Sequence, residues 1–164
     1  MKHTLLPFLL FISLPLFGQD FMRAAGIRGG INSGLTYRQF INPSLAYEGL
    51  LSFRGEGLQF TVLRQRFEPA LLNLNDGFFL VYGYGCHAGF TNSHTYVNFD
   101  RYYHYRTDKF SPLLGMDGFL GLEYHFPGLP ILVGLDFKPF IELSLYEFFR
   151  MNLWDAAFTL KYTF

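Results

Sequence analysis

The last ten residues of the chain alternate between two kinds of side chain without a break. Every second position carries an apolar or aromatic residue: Ala156, Phe158, Leu160, Tyr162 and Phe164. The positions between them carry Asp155, Ala157, Thr159, Lys161 and Thr163. A period of two over this length is the pattern of a β-strand with one apolar and one polar face. It predicts a two-faced strand over residues 155–164.

The rest of the chain beyond residue 19 is typical of further strands, and no helical pattern of comparable length interrupts them. The eight predicted strands are Arg23–Ile31, Leu35–Ile41, Ser44–Arg54, Leu58–Phe67, Phe78–Phe90, Leu113–Phe126, Ile131–Ile141 and Trp154–Phe164. A tilted strand needs about 9–11 residues to cross a bilayer, and most of these segments reach that length. The sequence therefore predicts an all-β protein, an eight-stranded antiparallel up-and-down transmembrane β-barrel.

The connections between the predicted strands differ in length at the two ends of the barrel. If both termini lie at one end, the opposite end carries Asn32–Gly34, Gly55–Gly57, Thr91–Pro112 and Glu142–Leu153. Bacterial barrels have long outer loops and short periplasmic turns, so the two long connections are expected outside. Pro139 cannot donate a backbone hydrogen bond to a neighbouring strand, and we expect it near the outer rim, where a bulge is tolerated.

Alternation defines two faces but leaves open which one points outward. A lipocalin-like soluble barrel encloses its apolar face, whereas a membrane barrel turns that face to lipid. Arg or Lys on the lipid face costs about 2–4 kcal/mol at the bilayer midplane, so we place the charges inside. Eight strands enclose a space that side chains can fill, which predicts a filled polar lumen. The predicted lumen cluster is Arg28, Arg38, Glu48, Asp117, Glu123, His125, Asp136, Lys138 and Lys161.

Three glycines share the polar face of one predicted strand with a histidine. They are Gly83, Gly85 and Gly89, and the histidine is His87. Because glycine has no side chain, we expect these positions to make room for the long charged side chains inside a narrow barrel.

The first nineteen residues have the parts of a cleavable signal peptide. Lys2 precedes an apolar run from Leu5 to Phe17, and Gly18-Gln19-Asp20 returns to polar residues. The run is shorter than the roughly 20 residues that a membrane-crossing helix needs. The alternative is a buried helix of the mature fold. Residues 1–19 are predicted to be cleaved off during export, which leaves residues 20–164 as one barrel domain.

The amino-acid composition also favours an exported membrane protein. Aromatic residues make up 20% of the chain and charged residues 16%, whereas soluble domains carry about 25% charged residues. Aromatic side chains are enriched at both membrane interfaces. The formal net charge of zero argues against nucleic-acid binding, which requires a basic patch. Cys86 is the single cysteine, so we interpret it as a small hydrophobe and predict no disulfide framework.

Histidine residues raise the question of catalysis. His87, the adjacent pair Ser93-His94, Asp100 and His104 are of the types that supply a nucleophile, a base and an orienting acid. Nothing in the sequence fixes their geometry, so we interpret them as polar loop residues with one hydrogen-bonded lumen histidine and expect no enzyme. Their spacing matches no structural zinc pattern. We therefore predict no metal site and no cofactor, with a lipid-modifying enzyme as the alternative.

The longest outer connection is rich in aromatic and basic side chains. The candidate interaction residues are Tyr96, Phe99, Arg101, Tyr102, Tyr103, His104, Tyr105 and Arg106. Aromatic and Arg side chains form binding hot spots, and strands that rise above the membrane can pair with the edge of a partner. These residues fit two interpretations equally well. Either they bind a protein partner at the outer loops, or they face outer-membrane lipid and the phosphates of lipopolysaccharide without a protein partner.

The aromatic pair at the end of the chain resembles a known assembly signal. In the C-terminal strands of bacterial outer-membrane barrels an aromatic residue ends the chain and another precedes it by two positions, as Phe164 and Tyr162 do here. Thr159 stands where that signal usually has glycine. The resemblance implies that Leu160, Tyr162 and Phe164 engage the barrel assembly machinery.

Several strand segments also resemble small outer-membrane barrels of Bacteroidota, similar in size to OmpA-transmembrane-domain and OmpX-like barrels. These segments are 33–37, 46–54, 83–90, 116–126, 135–140 and 161–164. Their motifs specify strands and turns rather than chemistry. We therefore expect a Gram-negative outer-membrane protein with a structural, adhesive or accessory interaction role through its outer loops, and not a general porin. The alternatives are an outer-membrane lipid-modifying enzyme and a soluble periplasmic lipocalin-like barrel that binds an apolar ligand.

Overall fold

The computed structural model describes residues 23–54, 57–70, 77–95, 106–144 and 150–164. They form ten strand segments: β1 Arg23–Gly30, β2 Ser33–Asn42, β3 Leu45–Arg54, β4 Gly57–Pro69, β5 Phe78–Thr95, β6 Arg106–His125, β7 Ile131–Phe137, β8 Phe140–Ser144, β9 Arg150–Asn152 and β10 Ala156–Thr163. No helix in these ranges is long and apolar enough to cross a membrane. The predicted signal segment, residues 1–19, lies outside the described residues.

The ten segments form a closed antiparallel barrel of eight strands. Because two of these eight strands consist of two segments each, we call the eight barrel strands staves. The strands β1 to β6 each pair with the next in sequence order. β6 also pairs with both β7 and β8, and β10 lies between β7 and β1. β7 and β8 are two parts of one stave, and β9 and β10 are two parts of the next. The predicted all-β, eight-stranded antiparallel barrel is confirmed.

The strand directions give the barrel two distinct ends. We call the end where β1 begins and β10 finishes the terminal end, and the opposite end the loop end. Ser44 and the turn at 127–130 lie at the terminal end, and Ile31 and Asn32 lie at the loop end. Gly128 has a φ of 78° in the turn before β7, a conformation that glycine adopts without steric cost.

The strands reach further toward the loop end than alternation predicted. The predicted loops Thr91–Pro112 and Glu142–Leu153 are wrong in extent, because β5 runs to Thr95, β6 starts at Arg106, β8 runs to Ser144 and β9 adds Arg150–Asn152. β5 and β6 remain paired as far as Thr95 and Arg106. Polar residues dominate these extensions, so the apolar period that marks a half-buried strand is missing although the backbone pairing continues.

Pro139 marks a break that crosses two neighbouring staves. The predicted single strand Ile131–Ile141 is interrupted at Lys138 and Pro139, and the next stave resumes at Ala156 rather than Trp154. Three residues, Leu153 to Asp155, stand opposite these two, since Phe137 pairs with Ala156 and Phe140 with Asn152. This is a β-bulge. The bulge lies on the terminal-end side of the strand segment β8, and not at the outer rim where we expected Pro139.

Candidate functional site

The barrel wall has a polar inner face and an apolar outer face. Along β10, Ala157, Thr159, Lys161 and Thr163 are buried, while the residues between them are exposed. Large exposed apolar side chains occur on the other staves as well, including Ile27, Leu35, Phe60, Tyr84, Leu120 and Leu135. We call this outward set the apolar belt. The buried charged side chains therefore point into the barrel, and most exposed side chains of the wall are apolar. Arg64 and Arg66 of β4 are exceptions, since they alternate with the buried Leu63, Gln65 and Phe67 on the outward face.

Four charged residues near the terminal end form one compact network, which we call the quartet: Arg38, Glu48, Glu123 and Lys161. Arg38 donates to both oxygens of Glu123 at 2.7 and 2.6 Å, and its Nε lies 2.8 Å from Glu48 Oε2. Lys161 Nζ lies 3.0 Å from the Glu48 carboxylate and 3.4 Å from Glu123 Oε1. Thr36 also donates to Glu48. Two cations thus face two anions, and the quartet ties together β2, β3, β6 and β10.

A second network lies nearer the loop end and begins at Arg28. The Arg28 guanidinium donates to Asp136 Oδ1 at 2.9 and 2.6 Å, to Asp155 Oδ1 at 3.1 Å and to the Asn32 carbonyl at 2.7 Å. Asp155 belongs to the bulge between β9 and β10. Arg28 therefore joins β1 to β7 and to the bulge.

The second network continues through Lys138 to a histidine. Lys138 Nζ donates to Asp117 Oδ1 at 2.8 Å and lies 3.5 Å from Asp155 Oδ2. The other oxygen of Asp117 lies 2.7 Å from His87 Nδ1, and His87 Nε2 lies 3.5 Å from Glu142 Oε2. We call the seven residues the loop-end network: Arg28, His87, Asp117, Asp136, Lys138, Glu142 and Asp155. It connects β1, β5, β6, β7, β8 and the bulge.

Glycines on the inner face make room for these charged side chains. A Cβ atom at Gly115 would lie 2.4 Å from His87 Cε1, and one at Gly134 would lie 2.9 Å from Glu123 Cγ. Gly26 stands in the same relation to Lys161, whose Cγ would be 2.8 Å from an added Cβ. Gly115 lies between His87 and Glu142 in the strand register, which allows the two side chains to face each other.

An apolar cluster fills the interior beside the quartet. Ala46, Leu63, Phe67, Val81 and Phe119 pack together, with Phe40 and Phe79 against them. The Arg38 guanidinium lies 4.9 Å from the centre of the Phe67 ring, within cation–π distance. The quartet and this cluster together occupy the interior toward the terminal end.

Eight of the nine residues predicted for the lumen cluster are buried inside the barrel, and all eight belong to the quartet or to the loop-end network. His125 differs. Its side chain is 32% exposed at the end of β6, and its Nε2 lies 3.7 Å from Glu123 Oε2. Sequence reasoning left out Asp155 and Glu142. Asp155 stands on the polar face of the alternating segment, and Glu142 falls within the predicted outer connection Glu142–Leu153, where alternation does not apply.

The other predicted sites can be located only in part. Of the outer-loop residues, Tyr96, Phe99, Arg101, Tyr102, Tyr103, His104 and Tyr105 lie outside the described residues. Arg106 is the first residue of β6. Leu160, Tyr162 and Phe164 are exposed on the outward face, and the rings of the last two are stacked with centroids 6.3 Å apart.

Several buried polar atoms of the interior have no hydrogen-bond partner among the described residues. They include Ser52 Oγ, Gln59 Oε1, both amide atoms of Gln65, His87 Nε2 and Asp136 Oδ2. Within the described part of the chain, no group of three His, Cys, Asp or Glu side chains has the geometry to hold a metal ion. His87 has an orienting carboxylate at Nδ1, as a general base requires, but its side chain is 1% exposed.

The sequence was also compared with known proteins. No protein-family model matches the chain, and no curated protein matches it.

Proposed function

We propose that the protein is an integral outer-membrane barrel with a closed lumen and a structural, adhesive or accessory role exerted at its loop end. The observation that carries this proposal is the distribution of side chains across the wall. Leu114, Met116, Leu120 and Leu135 are each more than half exposed on the outward face, while Arg38, Lys138 and Lys161 are fully or almost fully buried. This is the arrangement of a barrel in lipid and the reverse of a barrel that encloses an apolar ligand.

The filled interior supports a role other than solute diffusion. The quartet spans the barrel from β2 to β6, and the apolar cluster packs beside it. A water-filled pore needs a wider barrel, since eight strands leave an interior that side chains fill. The role is therefore assigned to surfaces outside the lumen, and among the described residues the β5–β6 pairing continues to Thr95 and Arg106 at the loop end.

The single cysteine offers a direct test of membrane insertion. Cys86 is exposed on the outward face of β5 and pairs in register with Met116. A nitroxide attached to Cys86 of the barrel in phospholipid vesicles should be accessible to oxygen and protected from a water-soluble nickel complex. Nickel accessibility equal to that of a label on a soluble protein would refute the proposal. Detergent-dependent extraction from outer membranes and a heat-dependent shift in electrophoretic mobility are the companion measurements.

A lipid-modifying enzyme is the second candidate, and the His87–Asp117 contact of 2.7 Å is the observation in its favour. A carboxylate at Nδ1 is the arrangement that orients a catalytic imidazole. We assign this pair to the loop-end network instead, because Lys138 and Glu142 enclose it. Replacing His87→Gln should leave the mass profile of lipid A unchanged in cells that produce the protein. Loss of a modified lipid A species in that variant would favour the enzyme.

A further inference from the structure

An apolar groove opens on the outward side of the wall, beside the break that crosses two staves. Its volume is about 310 Å³. Its lining includes Met116, Gly118, Pro139, Ile141, Met151 and Leu153. We call Gly118, which carries no side chain, and Pro139 the floor of the groove. At this size it lies at the lower end of ligand pockets, which span about 300–1,000 Å³.

The groove follows from three local features of the sequence. Gly118 contributes no side chain, and a Cβ atom there would lie 3.3 Å from Pro139 Cγ. Pro139 presents only its ring and has no N–H group to offer the neighbouring stave. The bulge at Leu153–Asp155 interrupts the pairing of the two staves, which are linked at this level by the hydrogen bond from Lys138 N to the Asp155 carbonyl, 2.8 Å long, and by the Lys138–Asp155 ion pair.

The lining offers apolar contact and no free side-chain hydrogen bond. Asp117 reaches the groove, but its carboxylate points inward and is bonded to His87 and Lys138. A peptide in the groove would therefore bury backbone amides without partners, which costs free energy. An alkyl chain has no such groups. Met116 and Met151 have flexible, polarizable side chains that adapt to a chain of irregular shape.

We propose that this groove, which we call the acyl groove, holds one acyl chain of a membrane phospholipid. The inference rests on the proposed membrane location, because the groove is continuous with the apolar belt through Met116 and Ile141. A chain in the groove contacts wall atoms on several sides rather than one, so it gains more dispersion energy than a chain against the plain wall. The small volume suits a single chain and excludes a helix.

Native mass spectrometry of the full-length barrel, extracted from phospholipid vesicles in mild detergent, tests the proposal. The wild-type protein should retain one phospholipid. Gly118→Leu should lower the lipid-bound fraction about tenfold, because the new side chain occupies the floor. Gly49→Leu is the matched control, since Gly49 also faces outward and a Cβ there would make only ordinary contacts of 3.6 Å with Phe60. It should retain lipid as the wild type does.

A second variant keeps the test valid if Gly118→Leu does not fold. Met151 is 58% exposed, so Met151→Trp adds bulk at the wall of the groove without disturbing the interior. Its control is Leu35→Trp, at a position 54% exposed on β2. The heat-dependent mobility shift reports folding of each variant.

Three results would overturn the acyl groove: a wild-type protein without bound lipid, equal retention by both folded groove variants, or an adduct with the mass of a free fatty acid. A protein that does not lie in a membrane at all would give a different set of results. In that case the protein would be soluble without detergent, and the Cys86 label would be open to the nickel complex.

Discussion

Arg38 donates two parallel hydrogen bonds to Glu123, with Nη1 and Nη2 at 2.7 and 2.6 Å from the two carboxylate oxygens. The residues are 85 positions apart in the sequence and stand on β2 and β6, on opposite sides of an eight-stave barrel. Paired Arg–carboxylate bonds of this kind are both strong and specific in geometry. The pair therefore fixes the separation of two walls that share no backbone hydrogen bond.

Replacing Arg38→Met should destabilise the barrel strongly. The change leaves Glu48 and Glu123 buried with Lys161 as their remaining cation. Removing one partner from a buried ion network typically costs about 3–5 kcal/mol. The free energy of unfolding by urea, followed in vesicles by the electrophoretic mobility shift, measures the loss.

Arg23→Met is the control for this prediction. Arg23 is exposed and bonds Gln39 at 3.1 Å, so its replacement should change stability by less than about 0.5 kcal/mol. Equal effects of the two substitutions would contradict a structural role for the quartet.

Replacing Gly134→Ala should also destabilise the fold. The added Cβ would approach Thr159 Oγ1 to 2.8 Å and Glu123 Cγ to 2.9 Å, which displaces Glu123 from Arg38. Overpacking of this kind costs about 1–3 kcal/mol. Gly29 has nothing within 4 Å of an added Cβ, so Gly29→Ala should be neutral or stabilising by about 0.5–1 kcal/mol. The same unfolding assay measures the change in the free energy of unfolding for both variants. A stabilising effect of Gly134→Ala would refute the claim that Gly134 makes room for Glu123.

Replacing Leu120→Arg should distinguish lipid from water at the apolar belt. Leu120 on β6 and Leu129 in the turn at the terminal end are almost equally exposed, at 51% and 52%. If the belt contacts lipid, Leu120→Arg should cost about 2–4 kcal/mol and Leu129→Arg about 0–1 kcal/mol. Unfolding in vesicles measures both values. Two similar small costs would mean that Leu120 faces water.

The wild-type protein should give no conductance steps of porin size in planar bilayers. Arg38, Phe67 and Phe119 fill the interior toward the terminal end, so ions meet a packed barrier rather than a continuous aqueous path. Single-channel recording over a range of voltages checks this. Stable openings comparable to those of a wide porin would show that the interior rearranges in the membrane.

The period of two in the sequence identified the strands and the two faces of the wall, while the choice of the outward face rested on the cost of a charge in lipid. It indicated that Arg38, Glu48, Glu123 and Lys161 share a face, but not that they meet. Their contacts depend on strand register and on closure of the barrel, neither of which is a local property. The bulge could not be predicted either. It places one extra residue opposite Lys138 and Pro139, and this allows the adjacent apolar residues Leu153 and Trp154 both to face outward, against the period of two. The apolar period also ends before the strands do, which hid the extensions of β5 and β6.

The quartet has a consequence for the order of folding. Its members come from β2, β3, β6 and β10, so Lys161 reaches Glu48 on β3 only when the last stave has joined the first. Before that moment an open sheet carries unpaired charges on one face, and uncompensated charges enter hydrocarbon at high cost. Loop closure over such long sequence separations is slow. If the barrel enters a bilayer as proposed, we therefore expect its closure and its insertion to occur as one coupled step, with the charges meeting each other as they leave water.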